Sequence, residues 1–261
     1  MKHWIGYFSV LGLVVIGSCK KDPGSSPAYL TKVVAHRGAW KTAGVPENSI
    51  AALQQAIRLG CYASETDVQM AADSVLFISH DSVFQGVNVE LASSDQLSAL
   101  KLSNGEPLPT LQAYLAEVIK QAQTRIVLEI KGSRISKTRS LAAAAKTVEL
   151  VESLHIGPLV DYCSFDYDVC KKIRALAPAA RVVYLNGDES PDQLALDKLT
   201  GLDYYYGVLT LKPAWIAEAR QKKLTVGVWT VNNELSMRWF LDQRVDFITT
   251  DEPELLLNLL K

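Results

Sequence analysis

The chain has 261 residues, 48% of them hydrophobic and 21% charged, with a formal net charge of -1. That composition supports a full core and admits either one barrel-sized domain or two smaller ones. The near-neutral balance supplies no broad basic field, so nothing points to nucleic acid or to an anionic membrane surface as an electrostatic partner.

At the N-terminus, Lys2 and His3 precede a run from Trp4 to Ile16 that is apolar apart from Gly6, Ser9 and Gly12. The run is too short for a stable membrane span, and a small residue before a cysteine at its end has the shape of a secretory signal. Ile16-Gly17-Ser18-Cys19 resembles the lipobox of a bacterial lipoprotein signal. The resemblance implies removal of residues 1–18, lipidation of Cys19 and an exported protein anchored to the bacterial membrane, on its periplasmic side or at the cell surface. An ordinary signal or an uncleaved anchor is the alternative. Residues 19–31, rich in Gly, Ser and Pro after the cysteine, read as a flexible tether. Cys61, Cys163 and Cys170 remain, an odd and widely spaced set that suits buried free thiols better than disulfides or zinc.

From residue 32 onward the pattern alternates. Apolar strand-like runs at 33–35, 63–70, 125–130, 162–165, 182–185, 204–209, 225–231 and 247–249 are each followed by helical spacing, beginning with 48–59 and ending with 253–260. Eight such units predict a parallel sheet closed into a TIM-type (β/α)8 barrel over 32–261, with an open doubly wound sheet as runner-up. A further apolar run at 75–78 and an irregular stretch at 82–109 predict a small insertion after the second strand, a lobe or lid. His36, Asp67, Lys131, Thr230 and Asp251 fall at or just past strand ends, which in a barrel share one mouth.

Glu65 and Asp67 are two apart on one strand and leave the same face, and Glu129 and Lys131 repeat the arrangement on the next barrel strand. Three carboxylates so close need protons or a neutralising charge, and a hard divalent cation, Mg²⁺ or Ca²⁺, is the usual partner. A salt-bridged network with Lys131 and Arg37 is the other solution. His36 and His80 each end an apolar run and precede a charged residue, as an acid and base couple beside the carboxylates would. Arg37 has the fork geometry for phosphate oxygens, and Glu47 either bonds Arg37 or favours the first turn of the helix that follows.

Taken in order, HRGAW-x5-PENS, ETDVQ, SHD, LEIK, CSF, VWTVN and ITTDEP closely resemble the glycerophosphodiester phosphodiesterase family over nearly all of 32–261. The resemblance implies a barrel enzyme that uses a divalent metal to hydrolyse small glycerophosphodiesters to glycerol 3-phosphate and an alcohol. By residue it implies His36 and His80 as acid and base, and Glu65, Asp67 and Glu129 as metal ligands. Arg37, Glu47 and Lys131 match phosphate-site positions, and Phe165 and Trp229 match the pocket wall. Members of the family commonly carry an arginine, threonine and glycine stretch after the HD; SVFQGVNVE from Ser82 to Glu90 departs from it, which bears on the alcohol moiety. A sphingomyelinase-like phospholipase D and a non-catalytic lipid-anchored binding protein are the rival readings. The sequence leaves the oligomeric state, the metal and the choice between a cyclic intermediate and direct water attack open.

Overall fold

The computed structural model describes Met1 and residues 30–261. The expected signal beyond Met1, the lipidation position Cys19 and the tether as far as residue 29 lie outside the described residues. Among the described residues no helix is long and apolar enough to cross a membrane.

In chain order the strands are β1 Lys32–Ala35, β2 Ala63–Met70, β3 Leu76–Ile78, β4 Val83–Phe84, β5 Val87–Asn88, β6 Arg125–Ile130, β7 Val160–Ser164, β8 Arg181–Tyr184, β9 Gly201–Tyr205, β10 Thr225–Trp229 and β11 Phe247–Thr250. The helices are α1 Ile50–Leu59, α2 Ser94–Ser98, α3 Leu111–Val118, α4 Lys137–Ser153, α5 Tyr167–Leu176, α6 Pro191–Leu196, α7 Tyr206–Leu211, α8 Ala214–Gln221, α9 Glu234–Asp242 and α10 Pro253–Leu259. Parallel pairing runs β1-β2-β6-β7-β8-β9-β10-β11, and β11 pairs back onto β1, so the sheet closes. The predicted eight-stranded barrel is the observed one, and the open sheet is excluded by that closure.

Alternation along each strand divides the core in two. Val33, Ile126, Leu128, Tyr162, Val182, Leu202, Val226 and Ile248 belong to the large cluster that packs strands against helices. Val34, Ala63, Val127, Cys163 and Val183 form a smaller cluster with Leu185 from the neighbouring strands, the barrel interior and the floor beneath the mouth. Gly227 makes room in that interior, because a Cβ there would stand 2.2 Å from the Phe247 ring and 2.8 Å from Asp203 Oδ1.

The predicted insertion is a lobe with its own core. Here β3 folds back antiparallel on β2, with Val68 opposite Ile78, and β4 and β5 form a two-stranded hairpin before α2. Ala71, Phe77, Val89, Ala92, Leu97, Leu102 and Leu108 are buried together beneath them. The stretch read as irregular therefore contains a hairpin and a short helix capped by Ser93 and Gln96, elements too short for periodicity to register. The other difference concerns 204–209. The strand ends at Tyr205 and α7 starts at Tyr206, so one apolar run is shared between two elements. Cys61, Cys163 and Cys170 are buried and free, as expected.

Candidate active site

Every strand of a barrel ends at the same rim, and the polar residues named from the sequence meet there. One cavity of about 220 Å³ is lined by His36, Arg37, Glu65, His80, Glu129, Lys131, Phe165 and Trp229. Asp67 is buried behind them, and Glu47 stands at the edge, joined to the site through Arg37.

The acidic cluster arises from register. β2 and β6 pair with Asp67 opposite Glu129, and Glu65 lies two residues down the same face. One oxygen from each of the three carboxylates lies within 4.8 Å of the others. Lys131 Nζ is 2.9 Å from Asp67 Oδ1 and 2.7 Å from Glu129 Oε1, and Arg37 Nε is 3.6 Å from Asp67 Oδ2. The salt-bridged network is thus present, but it does not complete the cluster: Glu65 Oε1 is buried with neither a hydrogen-bond donor nor an ion-pair partner among the described residues. Buried carboxylate oxygens are seldom left so, and the all-oxygen donor set suits a hard cation such as Mg²⁺ or Ca²⁺.

Electrostatics separates the three acids. Burial, then Asp67 and Glu129, pushes the Glu65 carboxyl well up. Burial, with Asp67 behind it, pushes Glu129 up to about 7. Burial also acts on Asp67, but Lys131 and the Asn48 amide outweigh it and hold that carboxyl below its ordinary value. The charge of the cluster is concentrated on the one acid that Lys131 and Asn48 both serve.

Local conformation sets the remaining groups. Arg37 and Gly38 have φ of 55° and 84°, two successive left-handed residues that turn the chain sharply after β1. The Arg37 amide then donates to Glu65 Oε2 at 2.8 Å, while its guanidinium donates to Glu47 Oε1 at 2.8 Å. A side chain at Gly38 would collide with Ala52, with a Cβ only 2.6 Å from that of Ala52. His36 Nδ1 is 2.7 Å from Asp251 Oδ1, and Asn232 Nδ2 donates to Asp251 Oδ2 at 2.6 Å. Burial is the largest single influence on the Asp251 carboxyl and raises it, but the hydrogen bond and charge of His36, with Asn232 and Arg37, together outweigh it and hold the carboxyl below its ordinary value. His80 Nδ1 is 2.8 Å from Asp81 Oδ1, so each histidine has Nδ1 occupied and Nε2 available for chemistry.

Four positioning residues received no role from the sequence. Asn48 holds Asp67 through Nδ2 at 2.8 Å and accepts from Thr66 Oγ1 at 2.7 Å. Gln69 Nε2 converges on the carbonyls of Ser79, His80 and Asp81, fixing the His80 turn against β2. Asp251 and Asn232 complete the His36 relay. Three of the four lie inside the motif strings PENS, ETDVQ and VWTVN, and Asp251 lies in ITTDEP, yet Asp251 reaches His36 across 215 residues. The wall is aromatic: Phe165 meets Trp229 edge-on at 5.3 Å between centroids, and Trp229 Nε1 donates to the Asp203 carbonyl at 2.9 Å.

A closed (β/α)8 barrel with a buried acidic triad, two oriented histidines and two cations at its C-terminal mouth is the architecture of a barrel hydrolase acting on an anionic ester. The model of the glycerophosphoryl diester phosphodiesterase family matches residues 36–255. The chain belongs to that family and is a phosphoric diester hydrolase. It is similar to a crystal structure of a glycerophosphodiester phosphodiesterase from Parabacteroides distasonis, at 42% identity and a TM-score of 0.87, covering 89% of this chain and 97% of that one. A glycerophosphodiester phosphodiesterase of Caldanaerobacter subterraneus is 28% identical over 247 residues, 88% of this chain and 98% of that protein. The fold is shared by an Oleispira antarctica phosphodiesterase solved with its product sn-glycerol-3-phosphate, at 21% identity and a TM-score of 0.76, over 87% of this chain and 95% of that one.

Proposed function

We propose that the protein hydrolyses glycerophosphodiesters to glycerol 3-phosphate and an alcohol, with His36 and His80 as a base and acid couple. The observation that carries this reading is that both histidines, the acidic triad and the cations Arg37 and Lys131 line one small cavity in a chain of this family. Glu65, Asp67 and Glu129 would hold a divalent cation, which supplies positive charge against the phosphoryl oxygens.

The rest of the mechanism belongs to the protein's own groups. Arg37, held by Glu47, and Lys131, held by Asp67 and Glu129, present fixed positive charge to a phosphodiester at the barrel mouth. His36 lines the inner cavity, whereas His80 lines both that cavity and a larger one of about 510 Å³ beneath the lobe. With the glycerol arm inside and the alcohol arm outside, His36 Nε2 takes the proton of the glycerol 2-hydroxyl as its oxygen attacks phosphorus. His80 Nε2 gives a proton to the departing alkoxide. Water then opens the cyclic phosphate with the two roles exchanged, returning each histidine to its starting state. Phe165 and Trp229 form an apolar wall to the glycerol carbons.

The test is glycerol 3-phosphate release by the chain from residue 30 onward, from the choline, ethanolamine and glycerol diesters, with Mg²⁺, Ca²⁺ or chelator. Metal-dependent release is expected from at least one diester, and choline release from sphingomyelin is not. Sphingomyelin cleavage without release from any glycerophosphodiester would replace the reading with a sphingomyelinase-like one.

We also propose export and lipid attachment at Cys19, on the strength of the apolar run that ends in Ile16-Gly17-Ser18-Cys19. In a lipoprotein-processing bacterial host, metabolic palmitate label is expected on the full-length chain and absent from Cys19→Ala. Equal labelling of the two would reject the anchor.

A further inference from the structure

The two cavities share His80, Glu129, Lys131 and Phe165, so a phosphodiester at their junction sends one arm into each. The larger one is walled by the lobe on one side and by residues 132–134, after β6, on the other. These two walls are clamped together. Glu90, 8% exposed at the end of the stretch that departs from the family pattern, accepts from the Arg134 amide through Oε2 at 3.0 Å. Its other oxygen lies 3.6 Å from Arg139 Nε, and the Arg139 guanidinium also donates to the carbonyls of Met70, Ala71 and Glu90. On the loop itself, the Ser133 amide donates to Ser140 Oγ at 2.8 Å and the Ile135 amide to Ser133 Oγ at 3.1 Å. The backbone that carries Arg134 is therefore fixed from both sides.

Of the two permanent cations on this wall, Lys131 is matched and Arg134 is not. Asp81 is taken by His80, Lys131 by Asp67 and Glu129, and Glu90 by Arg139 and the Arg134 amide. The Arg134 guanidinium makes no hydrogen bond or ion pair with any described residue, although it lines the cavity. A planar fork of donors on an anchored backbone, with no internal acceptor, is built to meet an anion.

We infer that the cavity beneath the lobe binds the alcohol arm of the diester and that Arg134 selects arms ending in an anionic group, a carboxylate or a second phosphate. The inference rests on the glycerophosphodiesterase reading above. Arg134 is a specificity residue at the far end of the arm and takes no part in proton transfer. A cationic arm such as choline meets the same guanidinium as a like charge.

Two matched pairs test this: glycerophosphoglycerol against glycerophosphoglycerate, and glycerophosphoinositol against its inositol monophosphate form, with glycerophosphocholine as the cationic arm. The wild type is expected to favour the anionic member of a pair by about 10-fold or more in kcat/KM, mainly through KM. Preference in the first pair alone identifies a carboxylate end, and in the second alone a phosphate end. Arg134→Gln should erase the preference while leaving glycerophosphoglycerol turnover within about twofold, as befits an exposed side chain. Arg134→Glu should turn it toward glycerophosphocholine. A wild type without anionic preference, or one whose preference survives in Arg134→Gln, overturns the assignment while the phosphodiesterase reading stands. No glycerol 3-phosphate from any of these substrates overturns that reading, and this inference with it.

Discussion

His36→Ala is expected to lower kcat by about 10² to 10⁴-fold with little change in KM, because a general base is realised in the transition state and not in substrate binding. His80→Ala should fall as far on a glycerophosphodiester with an aliphatic alcohol, whose alkoxide leaves poorly without a proton. The two variants separate on a nitrophenyl ester of glycerol phosphate, whose leaving group needs no acid. There His80→Ala should recover most of the lost rate of nitrophenol release in the first turnover, before its second role as base in opening the cyclic phosphate is reached, and His36→Ala should not. Asp251→Asn should reproduce part of the His36 defect and alter the pH profile, since Asp251 Oδ1 at 2.7 Å from Nδ1 is what fixes the imidazole with Nε2 toward the cavity. The measurement is single-turnover release of nitrophenol beside steady-state kinetics on both substrates across pH. Recovery of His36→Ala on the nitrophenyl ester would reverse the roles of the histidines, and full activity of either variant on both substrates would remove it from the mechanism.

The sequence exposed those histidines, and not what holds them, for a physical reason. Strand periodicity is local, so Glu65 and Asp67 announce a shared face within three residues. Eight repeats of strand and helix likewise announce closure, because the length and the alternation leave little else to build. The relay from His36 to Asp251 and Asn232 depends instead on β1 pairing with β11, a contact between the first and last strands of the barrel that no local pattern encodes. The lobe was legible as an interruption but not as a structure, since β4 and β5 have two residues each and α2 has five. The unpaired Arg134 is invisible in sequence for a related reason. An arginine two residues after a glycine looks like any loop cation until Glu90, from the lobe, is seen to take its amide and leave its side chain.

Removing the divalent cation should invert the pH dependence of stability. In the metal-free protein burial pushes the Glu129 carboxyl up to about 7 from an ordinary 4.5, and Glu65 is raised in the same sense, so between those values the native state holds protons that the unfolded chain has lost. The slope of unfolding free energy with pH follows protons bound unfolded minus protons bound native; here that difference is negative, and stability falls as pH rises through the window. The stability is fully present below the unfolded pKa and is lost by the folded one, a change of about 3 kcal/mol for Glu129 alone. Asp67, whose carboxyl is lowered, has the opposite sign, but its contribution disappears only as pH falls below the unfolded aspartate range and so leaves this window untouched. A bound cation must displace the protons of Glu65 and Glu129, so its affinity should climb over the same interval in which the empty site loses stability. Melting temperatures in chelator are therefore expected to decline from about pH 5 to about pH 7.5, and in Mg²⁺ or Ca²⁺ to hold or rise. Glu129→Gln, neutral at every pH, should flatten the chelator curve and reduce the cation's effect. A chelator curve that rises through the interval, or one that no divalent cation shifts, would mean that Lys131 and Arg37 alone neutralise the triad, and the acidic cluster would then be an ion-pair network rather than a metal site.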